Sequence, residues 1–145
     1  MVFCAKRFDG LTTSELYEIL RSRSEIFMLE QNIHCQDMDG VDYDSLHCFL
    51  EEDGRVVGYL RAYASEEHAG AVKIGRVLSL RHGVGIGTVL MEKSLIAIKE
   101  FFGCDRLYVN SQKHAVTFYE RFGFCVISDE FLEEGVPHLK MTRQI

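Results

Sequence analysis

The sequence is short of the features that most readily place a protein. It holds one proline, Pro137, and so has no proline-rich linker, and no segment is of low complexity. No run approaches the roughly 20 apolar residues of a membrane span. The start, MVFCAKRFDG, lacks the long apolar stretch of a secretion signal. The cysteines are five (Cys4, Cys35, Cys48, Cys104 and Cys125), an odd number with no CxxC pair. That argues against a disulfide framework or a zinc site and for reduced thiols in a cytoplasmic protein. Cys48 and Cys125 fall in strand patterns and read as small buried residues. The six histidines show no HxxxH spacing, so no metal is expected. Lysine and arginine form no block, and the formal net charge is -6. Nucleic acid and anionic membranes are therefore poor partners. An acidic surface suits a cationic substrate such as an amine.

What is present fits one domain over residues 1–145, without internal repeats. A chain of this size buries roughly 70% of its unfolded surface and needs no staples. VFCAKRF reads as a strand. Residues 11–31 read as a helix with Thr12 as cap and Glu15 as its capping-box partner. NIHCQDMDGVDYD is a polar loop, and SLHCFLEEDGRVVGYLRAYA a hairpin turning at Asp53-Gly54. AVKIGRVLSL is a further strand. A helix from about Ile86 to Phe102 follows, with Ile86, Val89, Leu90, Ile96, Ala97 and Phe101 as its buried face and Gly103 as its stop. DRLYVNSQ is a strand, KHAVTFYERFG a short helix, and FCVISDEF and VPHLKMTRQI a final strand pair. The order β-α-β-β-β-α-β-α-β-β predicts an α+β fold, a mixed, mostly antiparallel sheet flanked by helices.

The glycines at Gly83, Gly85 and Gly87 stand between a strand and that long helix. A helix start offers unpaired N–H groups and partial positive charge, and glycines let an anion approach the backbone. The stretch is either a pyrophosphate cradle or a tight turn with no ligand. No GKS/T follows it, which argues against a P-loop. It follows the fourth strand rather than the first, which argues against a dinucleotide fingerprint.

HGVGIGTVLMEKSL resembles motif A of the GNAT superfamily of acyl-CoA N-acyltransferases, R/Q-x-x-G-x-G/A, at His82, Gly83, Val84, Gly85, Ile86 and Gly87. His82 stands where the family has Arg or Gln. HAVTFYERFGF resembles motif B at Ala115, Phe118, Tyr119, Gly123 and Phe124. RSEIFMLEQNIHCQDMDGVD is similar to a segment of the ElaA-like branch at Arg23, Phe27, Glu30, Gln31, Asp37, Asp39 and Asp42. EEGVPHLKM resembles that branch's terminal segment at Gly135, Pro137, His138 and Met141. The likeness covers nearly the whole chain.

The resemblance implies the GNAT fold and an N-acetyltransferase that moves an acetyl group from acetyl-CoA to a primary amine by direct attack. It implies a pyrophosphate on the loop of Gly83 to Thr88 and a strand bearing Val77, Leu78 and Leu80 that splays to pair its main chain with pantetheine. Asn110 would face that gap. Tyr119 would give a proton to the leaving thiolate. Glu30, and less directly His138, would take the proton of the amine. Against these roles stand plain ones: Tyr119 as a packed aromatic, Asn110 as a strand-end cap, Glu30 as a partner of Arg23, His138 as a structural imidazole. Asp37, Asp39 and Asp42 lack the offsets of an EF-hand and read as loop caps or as acidic lining for a cation. The other reading of the whole is a CoA-binding regulatory or interaction module without turnover. A homodimer through sheet edges or terminal strands is open to either.

Overall fold

The computed structural model describes residues 1–145. The strands are β1 (Val2–Arg7), β2 (Leu46–Glu52), β3 (Arg55–Ala64), β4 (Val72–Ser79), β5 (Arg106–Gln112), β6 (Cys125–Val126), β7 (Phe131–Glu133) and β8 (Val136–Gln144). The helices are α1 (Thr13–Arg23), α2 (Ile86–Phe102) and α3 (Val116–Glu120). One sheet runs β1-β2-β3-β4-β5-β8-β6, with β7 also on β8. Only β4 and β5 are parallel. The predicted α+β class and mostly antiparallel sheet are what the chain forms.

Period-two alternation splits the core into two faces. On β2, Cys48 and Leu50 join the cluster under α2, while Phe49 joins Ile19 and Ile26 of the first helix. The hairpin turns where expected, with Asp53 and Gly54 both at positive φ, the conformation a two-residue turn needs. Thr12 and Glu15 form the full capping box, Glu15 N donating to Thr12 Oγ1 at 3.0 Å and Thr12 N to Glu15 Oε1 at 2.8 Å. Gly103 ends α2 in the left-handed region.

Three expectations need correction. The buried row of α2 is Ile86, Leu90, Met91, Ser94 and Ile98, whereas Ile96 is 63% and Phe101 48% exposed. The i, i+4 row through Ser94 wins because its small side chain lets the helix lie close to the sheet. The first helix does not run uniformly to Gln31. It widens into a π-helical stretch, Ser24–Glu30, closed by Gln31 N donating to Ile26 O at 2.9 Å. Residues 124–131 are not one strand. Lys140 N donates to Ser128 Oγ at 2.9 Å instead of to a strand carbonyl, so the ladder breaks between β6 and β7. Cys125, at this edge, is exposed rather than buried.

The loop between the π-helical stretch and β2 is tied down by three arginines against three aspartates. Arg23, fully buried, donates from Nη1 to Asp42 Oδ1 at 2.7 Å and from Nε to Asp37 Oδ2 at 2.9 Å. Arg61, 2% exposed, grips Asp39 through Nη2 at 2.7 Å and Asp42 through Nη1 at 3.0 Å. Arg76 reaches Asp37 Oδ1 at 2.8 Å. Asp37, Asp39 and Asp42 are thus neither simple caps nor free acidic lining. Removing one partner of a buried ion pair strands the other in low dielectric. We predict that Asp42→Ala lowers unfolding free energy by about 3–5 kcal/mol, measured by urea denaturation; a loss below about 1 kcal/mol would contradict the role given to this cluster.

Candidate functional site

The site begins where β4 leaves β5. They pair at only three positions, Val72 with Leu107, Lys73 with Tyr108 and Ile74 with Val109. Beyond Val109, β5 keeps to β8 as far as Gln112 opposite His138. β4 instead follows β3 and carries a bulge. Arg61 faces Gly75 and Tyr59 faces Leu78, which leaves Arg76 and Val77 both opposite Leu60. Arg76 sits at φ +52°, a strained setting that its bonds to Asp37 hold in place.

The parting opens a cleft of about 670 Å³, within the range of small-molecule sites. Its floor includes Ile74, Val77, Leu78, Val109, Phe118 and Tyr119. At one end it meets His82 and Gly87. There Gly83 and Gly85 lie at φ +76° and +81°, and Gly85 caps α2 without a side-chain hydrogen bond. The first-turn N–H groups of Ile86, Gly87 and Thr88 therefore keep no side-chain cap, and Val84 stands out at 63% exposure. A Cβ on Gly87 would meet Phe118 Cε1 at 3.2 Å, so this glycine lets α3 close over the helix start. The Ile86 side chain is core, so only its main chain can face a ligand.

Main-chain direction corrects part of the expectation for β4. Leu80 N donates to Val57 O at 2.8 Å. An antiparallel ladder alternates, so Leu78 also turns its main-chain groups to β3, and Ser79 turns its own to the cleft. Leu80 does not line the cleft, and Leu78, whose side chain is core, touches it.

Tyr119 is 5% exposed, lines the cleft, and packs edge-on to Phe118 and Phe124. Burial alone pushes its phenol above the ordinary range, so it holds its proton at neutral pH. Glu30 does not line the cleft. Its carboxylate lies 3.0 Å from His82 Nε2, so the residue expected at the amine instead holds the imidazole that precedes the glycines. His138 and Asn110 do line the cleft, and Glu133 joins them: Asn110 Nδ2 donates to Glu133 Oε1 at 3.1 Å. Gln112 Nε2 donates to Gln31 Oε1 at 2.8 Å, linking the end of β5 to the π-helical stretch across the chain.

Sequence reasoning passes over Glu133, Arg61, Arg76 and Gln112. Two of them had a signal, since Glu133 lies in EEGVPHLKM and Arg76 in GRVLSL, both similar to segments of the same branch. A trio that could draw a metal lies elsewhere, Cys4, Glu15 and Glu51 within 4.8 Å, but Glu15 is already held by Lys6 and Thr12. Burial pushes the Cys48 thiol up to about 12, which keeps it from acting as a thiolate nucleophile.

A strand pair that opens beside an uncapped, glycine-bounded helix start can seat an extended acyl thioester with its phosphates on main-chain donors. That architecture belongs to a family. The family model "Acetyltransferase (GNAT) domain" matches residues 24–145, and the chain belongs to the GNAT acetyltransferase family. It is 34% identical over 140 residues to protein ElaA of Escherichia coli (strain K12), across 93% of this chain and 91% of the relative. The crystal structure of E. coli ElaA superposes with a TM-score of 0.90 at 32% identity, covering 98% of each chain. An acyl-CoA N-acyltransferase from Pseudomonas aeruginosa superposes at 0.89 with 35% identity, covering 99% of each. An aminoglycoside 6'-N-acetyltransferase complexed with coenzyme A shares the fold, at a TM-score of 0.75 and 13% identity over 99% of this chain and 97% of that one.

The ion cluster gives the site an acid limit. Arg61 hydrogen bonds hold the Asp39 carboxyl well below its usual range. For Asp42, burial pulls the other way but is outweighed by Arg23 and then Arg61, and its carboxyl is also lowered. A carboxyl depressed on folding stabilises fully above its unfolded pKa, near 4, and that stabilisation is lost as pH falls through the folded value. The melting temperature should therefore fall steadily below about pH 4, followed by circular dichroism. A Tm independent of pH between about 4 and 2.5 would contradict it.

Proposed function

We propose that this chain is an N-acetyltransferase that transfers an acetyl group from acetyl-CoA to a primary amine by direct attack in a ternary complex. The observation that carries the reading is the parting of β4 from β5 beside the uncapped start of α2, with Tyr119 on the floor between them.

The donor supplies an activated thioester, so the protein's contribution is chiefly position. The N–H groups from Gly83 to Thr88, at the positive end of α2, hold the pyrophosphate. Ser79 and Val77 on β4 and Asn110 on β5 bound the pantetheine arm in the gap. Tyr119, kept protonated by burial, donates to the departing sulfur. His138 takes the proton of the amine. Glu30 is given no part in that transfer, since it does not line the cleft and its carboxylate is turned to His82. The five free cysteines support a reducing, cytoplasmic setting.

With acetyl-CoA and a panel of primary amines, thiol release should rise with enzyme. Tyr119→Phe should cut kcat by roughly 10²-fold or more while calorimetry shows unchanged acetyl-CoA binding. Binding without turnover by wild type on any amine would instead fit a CoA-binding module. No binding at all would remove the acetyltransferase reading.

A further inference from the structure

On the β5–β8 side of the cleft, an imidazole and a carboxylate face each other. His138 is 6% exposed, and its Nδ1 lies 2.7 Å from the Val136 carbonyl oxygen. A carbonyl only accepts, so Nδ1 carries the proton and donates it. In the neutral ring Nε2 is then a bare lone pair. It stands 3.4 Å from Glu133 Oε2, a contact that is an ion pair only when the ring carries a second proton. Asn110 Nδ2 donates to the other oxygen of the same carboxylate and fixes its direction. Phe131 stacks on the His138 ring from the neighbouring strand and holds its plane.

With the ring neutral, Nε2 and Oε2 are both acceptors, and a charged donor within reach of both satisfies them together. The rest of the wall sharpens the demand. Asp37 and Asp39 are neutralised by Arg23, Arg61 and Arg76. Glu133 and Glu134 line the cleft with no lysine or arginine partner. A primary ammonium carries N–H donors for both Glu133 Oε2 and His138 Nε2.

Resting on the acetyltransferase reading, we infer that the acceptor is an alkylamine that arrives as its ammonium ion, and that Glu133 and His138 Nε2 together receive it. Glu133 supplies the charge that binds the ammonium, and Nε2 takes one of its protons. The freed nitrogen lone pair attacks the thioester carbon, the C–N bond forms, and the C–S bond breaks with its electron pair on sulfur. The sulfur takes the Tyr119 proton, and the second nitrogen proton restores the phenol. The proton on His138 leaves to solvent, so one proton is released per turnover.

The test compares two kinds of acceptor at pH 7.5: cadaverine and spermidine, which are cations, and 4-methoxyaniline, a primary amine that is neutral there. Glu133→Gln should raise KM for the cationic amines about tenfold to hundredfold, with a smaller effect on kcat. It should leave KM for 4-methoxyaniline and the acetyl-CoA Kd unchanged. Glu130→Gln removes a nearby charge that pairs with Lys113 outside the cleft, and it should change neither. Equal effects of Glu133→Gln on charged and neutral acceptors, or none on either, overturn the inference. So does a wild type that acetylates only neutral or anionic amines. Where wild type binds acetyl-CoA but turns over no panel member, calorimetry of cadaverine into the CoA-saturated protein decides. Uptake lost in Glu133→Gln supports the inference, and no uptake by wild type overturns it. Failure of the acetyltransferase reading looks different: acetyl-CoA does not bind, or it binds with no thiol release on any amine, whatever residue stands at position 133.

Discussion

Everything in this molecule that bears on chemistry depends on two neighbouring strands being made to separate. β4 and β5 share three residue pairs and then part. Separation exposes main-chain donors and acceptors that a sheet would otherwise pair, and such groups are costly to leave without partners. The protein enforces it from both sides. β8 captures β5 as far as Gln112, and the bulge at Arg76 bends β4 away. Arg76 is held in its strained backbone setting by Asp37, which is itself gripped by buried Arg23. The aspartates of the loop after the first helix are therefore part of the machinery that keeps the cleft open, although none of them is free to meet a ligand.

The same arrangement sorts charge. Buried arginines require carboxylates, and the loop supplies Asp37, Asp39 and Asp42 for them. That leaves Glu133, at the end of β7, and Glu134, in the turn to β8, as acids of the cleft with no lysine or arginine partner. The helix start that borders the cleft presents positive character with no side-chain cap. A molecule with phosphates at one end and a partner with an ammonium at the other is complementary to this polarity. Tyr119 sits between, protonated and packed by Phe118 and Phe124.

The parts legible in the sequence were those written in local backbone chemistry. The capping box at Thr12, the hairpin at Asp53-Gly54, the glycine turn and the stop at Gly103 each follow from neighbours a few residues apart. An apolar count along α2 rewards Ile96 and Phe101, whereas the row that is buried runs through Ser94. The aspartates looked available because their arginine partners lie 14 to 39 positions away along the chain. Glu30 met His82 across 52 positions, and Glu133 met Asn110 across 23. Such pairings are created by strand order and register, and no spacing in the sequence encodes them. The direction of the Leu80 amide was equally hidden, because it depends on ladder phase beyond a bulge.

The central claim is that the gap between β4 and β5, together with the turn before α2, is where acetyl-CoA lies. Amide hydrogen exchange with and without acetyl-CoA tests it most directly. The account predicts new protection confined to peptides covering residues 77–88 and 110–112, which border the gap and the start of α2. Binding with unchanged exchange there, or protection centred on β1 and β2, would contradict it.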